Sequence, residues 1–174
     1  AKALPPEVAT VVQGGPEVSS FLTSLPFQHI CFTGGTHIGQ KVMKAAAEHL
    51  TSITLELGGK SPAIVDRTAH VLDASRRLAW GKCLNNGQVC IAPDYLLVEE
   101  AIADEFTGAL RDQFAAMYVQ EPEEQLKNIQ RSTIVNLAQF SRLVALVEDA
   151  IQQGAKVVHG GTWDAHTLRM ATTL

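Results

Sequence analysis

Aromatic residues are scarce in this 174-residue chain, at 6%, and charged residues amount to only 18%. No basic run stands out and the net charge of −4 is mild, which argues against nucleic acid or an acidic membrane surface as a partner. Cysteine is limited to Cys31, Cys83 and Cys90, an odd number without a Cys-x2-Cys pair, so neither zinc nor a disulfide framework is expected. Six scattered histidines (His29, His37, His49, His70, His159 and His166) show no metal-binding spacing, and no metal site is expected. There is no apolar run of membrane-spanning length, no signal-peptide core at the start, no low-complexity tract and no internal repeat. What remains, with 46% hydrophobic residues, is the composition of a globular chain with reduced thiols, expected to be cytoplasmic. Its length suits one domain or pieces of two.

The pattern along the chain is that of an α/β protein. Residues 7–13 read as a short strand ended by Gly14-Gly15-Pro16, and Val18 to Leu25 as a short helix. His29 to Thr33 is an apolar β-type run that stops at Gly34-Gly35. Beyond it Ile38, Val42, Ala45, Ala46 and Leu50 recur at helical spacing, with Gly35 or Thr36 as the N-cap. Strands are expected over Ser52 to Leu57, Ala63 to Val65 and Tyr95 to Val98. Helices are expected over Leu72 to Leu84, Glu99 to Tyr118 and Thr133 to Gln153, the last closed by Gly154. Asn85-Asn86-Gly87 should break the chain after the first of these. Gln120 to Gln130 reads as a surface loop, and Lys156 to His159 as a strand running into Gly160-Gly161. Strand, glycine turn and helix in succession are the unit of an α/β fold.

Three segments carry candidate chemistry. Phe32-Thr33-Gly34-Gly35-Thr36-His37-Ile38-Gly39 is either a phosphate cradle, with the unpaired N–H groups of a helix start facing an anion, or a plain strand-to-helix turn. It does not match G-x-G-x-x-G, because Thr36 stands at the second glycine, nor a Walker A loop, because Gln40 follows Gly39. Gly58-Gly59-Lys60-Ser61 imitates a Walker tail, but Thr54 occupies the leading glycine's place. Glu56 ends an apolar strand and is either a surface glutamate or a general base. Cys90, in the Gly/Asn/Gln loop 34 positions later, is either a small apolar filler or a nucleophile displayed on an irregular loop. Cys31 and Cys83 lie within a strand and a helix and read as core residues, and Trp80 and Trp163 as core or interface volume.

In this order, Phe-Thr-Gly-x-Thr-x-x-Gly, then Glu-Leu-Gly-Gly-Lys-Ser-Pro, then Asn-x-Gly-Gln-x-Cys, the three segments resemble the aldehyde dehydrogenase superfamily. Cys90-Ile91-Ala92-Pro93-Asp94-Tyr95 is similar in particular to the class 3 branch of fatty, benzyl-type and coniferyl aldehyde dehydrogenases. The resemblance spans essentially the whole chain. It implies an α/β fold made of the end of a Rossmann-like cofactor domain, residues 1–56, and the N-terminal part of the catalytic domain, residues 57–174. It implies Cys90 as nucleophile on a small-molecule aldehyde, hydride transfer to NAD or NADP, and Glu56 as the base that activates the hydrolytic water. Gly34, Gly35, Thr36, Gly39 and Leu57 would lie at the cofactor, and the backbone N–H of Cys90 would be one oxyanion donor.

Departures from the family pattern are few. Position 35 is Gly where many members carry Ser, and Cys83 stands where a larger apolar residue is usual. Family members are much longer and carry an upstream Pro-Trp-Asn segment and a downstream Glu-Glu-Ile-Phe-Gly-Pro segment, neither present among these residues. The chain is therefore expected to be a central slice of an enzyme that is a homo-oligomer at full length, and to be inactive by itself. Two other functions compete: a non-catalytic scaffold or oligomerisation fragment, and a cysteine esterase or acyl transferase. Intact Glu56 and Cys90 weigh against the first, and the glycine turn at 34–39 against the second.

Overall fold

The computed structural model describes residues 4–117, 122–129 and 131–174. The chain divides into two compact units, Ala1–Gly58 and Gly59–Leu174, each built around one β-α-β crossover.

In the first unit, helix α1 (Pro16–Thr23) opens on Pro16, whose missing N–H costs nothing at a helix start. Strand β1 (His29–Thr33), helix α2 (Thr36–Ala47) and strand β2 (Ser52–Glu56) follow. The strands pair in parallel, His29 opposite Ser52 through to Thr33 opposite Glu56. Parallel neighbours require a crossover, which α2 provides. Its buried stripe is Gly39, Val42 and Ala46; Ile38 is exposed, and Leu50 lies beyond the helix, 93% exposed and left-handed at φ 54°. Gly35, one of the two residues the spacing offers, is the N-cap. The expected strand over residues 7–13 does not form. The N–H groups of Val8 and Ala9 both donate to the Pro5 carbonyl, at 2.9 and 3.1 Å, which curls the chain after Pro5-Pro6. Val8, Val11 and Val12 stay exposed, and among the described residues no strand lies alongside to complete a ladder.

The second unit repeats the device with strand β3 (Ser61–Val65), helix α3 (Val71–Cys83) and strand β4 (Pro93–Val98), the strands again parallel. The register shifts between Ser61 and Pro62, where proline has no N–H to give the ladder. Helix α4 (Ala103–Met117) lays Phe106, Leu110 and Phe114, four residues apart, against Val65, Ala79 and Cys83. A short 3-10 turn over Glu100–Ile102 precedes α4; Tyr118, the expected last helical residue, lies outside the described residues. Where a surface loop is expected, Pro122–Lys127 forms helix α5 with Gln125 buried; positions 120, 121 and 130 lie outside the described residues. Its signals are local: Pro122 at the start, Glu123 and Glu124 in the first turn and Lys127 in the last, paired with Glu124 at 2.6 Å.

Helix α6 (Leu137–Gln152) begins four residues later than its periodicity predicts, capped by Asn136, whose Oδ1 accepts from the Gln139 N–H at 2.9 Å. Gly154 follows at φ +96°, the left-handed stop expected of it. Residues 156–159 are not a regular strand. The Val158 N–H nevertheless donates to the Leu174 carbonyl, and the Leu174 N–H to His159, at 2.7 and 3.0 Å. A two-residue hairpin, β5 (Trp163–Asp164) against β6 (Arg169–Met170), closes the chain. Ile134, Phe140 and Met170 form a second apolar cluster to which Trp163 adds, whereas Trp80 is 64% exposed. Cys83 is buried as expected, but Cys31 is exposed: it occupies the outward position of β1, where alternation puts every second residue on the open face. No helix among the described residues is long and apolar enough to cross a membrane.

Candidate active site

The glycine turn of the first unit joins β1 to α2 and is held by the Gly34 N–H donating to the Glu56 carbonyl at 3.0 Å. Its carbonyl thus tied, Glu56 ends β2 beside the turn with its side chain exposed. Gly35 caps α2 in an extended conformation, φ −72° and ψ 146°, and places no side chain over the first helical N–H groups. Gly35 and Thr36 are exposed, and Gly34 is half-buried. Gly39 is buried for a packing reason: a Cβ there would stand 2.9 Å from the Leu57 side chain. Of the expected cofactor residues, Gly39 and Leu57 are therefore in mutual contact, while Gly34, Gly35 and Thr36 form the mouth of the helix. An open groove of about 880 Å³ lies alongside, lined in part by Gly14, Pro16, Thr23, Phe32 and Ile38.

Cys90 belongs to the second unit. Three consecutive left-handed residues, Asn85, Asn86 and Gly87 at φ 48°, 55° and 77°, turn the chain sharply out of α3. Gln88 then fixes the loop on both sides. Its Nε2 donates to the carbonyls of Asn85 and Thr133, at 3.2 and 3.0 Å, and its Oε1 accepts from the Val135 N–H at 3.0 Å. Asn85 returns a bond from Nδ2 to the Gln88 carbonyl at 3.1 Å. The Ala92 N–H donates to Val89 at 3.0 Å, so Cys90 stands at the apex of a tight turn, exposed. Beneath it Gly59 makes close backbone contact: a Cβ on Gly59 would lie 2.8 Å from the Cys90 carbonyl oxygen. Lys60 pairs with Asp94, whose other oxygen stands 4.0 Å from Lys82 Nζ, tying β3 to the outgoing side of the loop.

Sequence reasoning missed a buried polar cluster behind the loop. Arg131 donates to Gln125 Oε1, to Asn86 Oδ1 at 2.5 Å, to the Met170 carbonyl at 3.1 Å and to Thr172 Oγ1 at 3.2 Å. Gln125 Nε2 meets His159 Nε2 at 3.2 Å, and since the amide nitrogen can only donate, the ring nitrogen accepts. His159 is held below its ordinary pKa, chiefly by burial and further by the positive charges of Arg111 and Arg131, which suits a neutral acceptor. Arg131 and Gln125 lie in the stretch that reads as polar surface. The only local hint is the helix-start chemistry at Pro122-Glu123-Glu124.

Two parallel β-α-β crossovers, one starting through the glycine turn at the open start of α2 and the other returning through the turn that exposes Cys90, make the described fold α/β. The sequence profile described as aldehyde dehydrogenase family matches residues 1–171, and the chain belongs to that family. It is 44% identical over 168 residues to AldX of Bacillus subtilis, covering 97% of this chain and 37% of that protein. It is 40% identical over 164 residues to the dimeric NADP-preferring aldehyde dehydrogenase of Mus musculus, covering 94% and 34%. Among solved structures it resembles the substrate-bound state of Staphylococcus aureus AldH, with a TM-score of 0.79 and 40% identity over 93% of this chain and 34% of that one. The chain thus spans about a third of the length of the relatives it matches.

Proposed function

We propose that this chain carries the thiol and general base of an NAD- or NADP-dependent aldehyde dehydrogenase, with Cys90 as nucleophile and Glu56 as base. In this reading residues 1–56 belong to the cofactor-binding domain and residues 57–174 to the catalytic domain. The observation that carries it is the build of the Cys90 turn: an exposed thiol whose loop is fixed by Gln88, by three left-handed residues and by the Gly59 contact. A merely packed cysteine needs none of this; a nucleophile needs a defined position.

The Cys90 thiolate attacks the aldehyde carbon, forming the C–S bond as the carbonyl electrons move to oxygen. The Cys90 backbone N–H donates to that oxygen. The nicotinamide cofactor, when bound, supplies the acceptor for the hydride that leaves this carbon. Cys90 then holds the acyl group as a thioester. Glu56 takes a proton from water, the water oxygen attacks the acyl carbon, the C–S bond breaks, and the carboxylic acid departs with the thiolate restored. The first unit fits a dinucleotide: the uncapped start of α2 suits a phosphate, and the adjoining groove has room for a nucleoside. The mouse relative is NADP-preferring and dimeric by name; NAD or NADP as cofactor, a homo-oligomeric full-length enzyme and a cytoplasmic setting follow as part of the same proposal.

The test is covalent labelling of the 174-residue chain. Cys31 is the fair comparator because it too is exposed, unlike Cys83. p-Nitrophenyl acetate should acetylate Cys90 with release of p-nitrophenolate, faster than it modifies Cys31, and Cys90→Ser should abolish that adduct. Equal modification of the two thiols near neutral pH would sink the nucleophile assignment. Purified alone, the 174 residues should give no sustained NAD(P)H from benzaldehyde; steady production would refute that part.

A further inference from the structure

We propose that Arg131 is a positioning residue for the Cys90 loop, acting through Asn86, and that the segment 131–135 is the splint on which the loop is set. The proposal draws its catalytic meaning from the reading of Cys90 as nucleophile, but its geometry is independent of that reading.

Arg131 is only 4% exposed, and a guanidinium this deeply buried must be closely hydrogen-bonded to be tolerated. Its bonds reach helix α5 through Gln125, the left-handed turn through Asn86, β6 through the Met170 carbonyl, and Thr172 beyond it. Gln125 is itself anchored: its Oε1 also accepts from the Thr172 N–H at 3.1 Å, and its Nε2 donates to His159. The guanidinium therefore has a fixed position, and Asn86 is the member of this set nearest in sequence to the thiol, four residues before Cys90.

Three left-handed residues in succession are costly for a chain, more so where two of them carry a Cβ. The turn persists because each asparagine is held from outside the backbone. Asn85 is paired with Gln88. Asn86 is held by Arg131. Two and four positions beyond Arg131, the Thr133 carbonyl and Val135 N–H bind the two ends of the Gln88 amide. One short segment thus grips the loop at Asn86 and at Gln88, on either side of Gly87. Gly87 has no Cβ to meet Lys82, from whose carbonyl oxygen it would stand 3.4 Å. Position and orientation of Cys90 follow from these two grips and from Gly59 beneath.

Amide hydrogen exchange over residues 84–92 of the 174-residue chain tests this. Asn86→Gly removes the acceptor while keeping a residue that favours the left-handed conformation. It should speed exchange across 84–92 by about tenfold or more, the effect of losing one charge-assisted hydrogen bond, with less than a twofold change in the α3 and α4 core. Asn86→Asp, which restores an acceptor opposite the guanidinium, should return the loop to near wild-type exchange. Arg131→Met should accelerate the loop in the wild-type background and add nothing to Asn86→Gly. Unchanged exchange in Asn86→Gly, no rescue by Asn86→Asp, or additive effects of the two substitutions would each overturn the proposal. Should Arg131→Met fail to fold, the Asn86 pair decides alone. Wild-type acylation of Cys90 against Cys31 reads the nucleophile assignment separately, so failure of one does not mimic failure of the other.

Discussion

Replacing Gly59 by alanine, with Gly58 as its matched control, isolates the backbone contact under Cys90. The added methyl at position 59 would stand 2.8 Å from the Cys90 carbonyl oxygen, where ordinary contact begins near 3.4 Å, so the two backbones must part by about 0.6 Å. Neither neighbour is the free end of a flexible side chain, and forced overpacking of this kind costs roughly 1–3 kcal/mol. At Gly58 a methyl meets nothing within 4 Å. There the loss of unfolded-chain freedom dominates, with an effect between neutral and about 1 kcal/mol stabilising. Neither glycine has a positive φ, so backbone conformation does not separate them. Both tryptophans, Trp80 and Trp163, lie in the second unit, so intrinsic fluorescence during urea or thermal unfolding reports that unit alone. Gly59→Ala should lower its midpoint by roughly 3–10 °C on the usual scaling for a unit of this size, while Gly58→Ala, which falls in the first unit, leaves it unchanged. It should also alter the rate of Cys90 alkylation, since the strain is relieved at that residue. Equal stabilities within about 0.5 kcal/mol, below the smallest overpacking cost, would show that the contact is not tight and that Gly59 has some other reason to be there.

Gly35→Ser should stabilise the first unit by a few tenths to about 1 kcal/mol, seen by circular dichroism or amide exchange. The φ and ψ at position 35 suit any L residue, the nearest side-chain atom is His37 Nδ1 at 4.0 Å, and the new hydroxyl can cap the start of α2. A loss of stability would mean the cap cannot form. The second unit should lose stability as pH falls. With the folded His159 held below its ordinary pKa near 6.5, the unfolded chain binds more protons, so the contribution is intact above about pH 6.5 and is lost as pH drops toward the lower folded value. Urea titrations between pH 8 and 5 should show this slope, and His159→Gln should flatten it; an unchanged slope in that variant would assign the effect elsewhere.

Punctuation was the legible part of this fold. Gly34-Gly35, Asn85-Asn86-Gly87 and Gly154 act through backbone conformation, which a residue carries with it wherever it is, and the helix ends they set, the start of α2 and the ends of α3 and α6, stand within a residue of where the periodicity puts them. Elements whose fate depends on a partner were not legible. Residues 7–13 have strand composition but no neighbour to pair with among the described residues. Thr133 to Val135 have helical periodicity, yet they stay outside α6, where Thr133 and Val135 bond the Gln88 side chain. Alternation alone could not say that the face of β1 carrying Cys31 is the open one. At the candidate site the cysteine and its glycine-rich loop stand out by residue type. The supports do not, because a buried Arg131 or Gln125 looks polar in sequence and is recognisable only once its acceptors are in place. Gly59 is the intermediate case: a visible glycine whose reason, the Cys90 carbonyl 31 residues away, is not.

All three sheets have two strands each, so among the described residues every strand is paired along one side only. An unpaired flank is a row of N–H and C=O groups at the spacing another extended chain requires. On β3 and β4 the outward side chains include Ile64 and Leu97, directly opposite one another in the register and 77% and 53% exposed, with no charge between them to discourage stacking. In concentrated preparations the 174 residues have both requirements for strand-to-strand self-association, an open ladder and an apolar surface beside it. The threshold concentration should rise if a lysine replaces Ile64, which light scattering would register without any reference to catalysis.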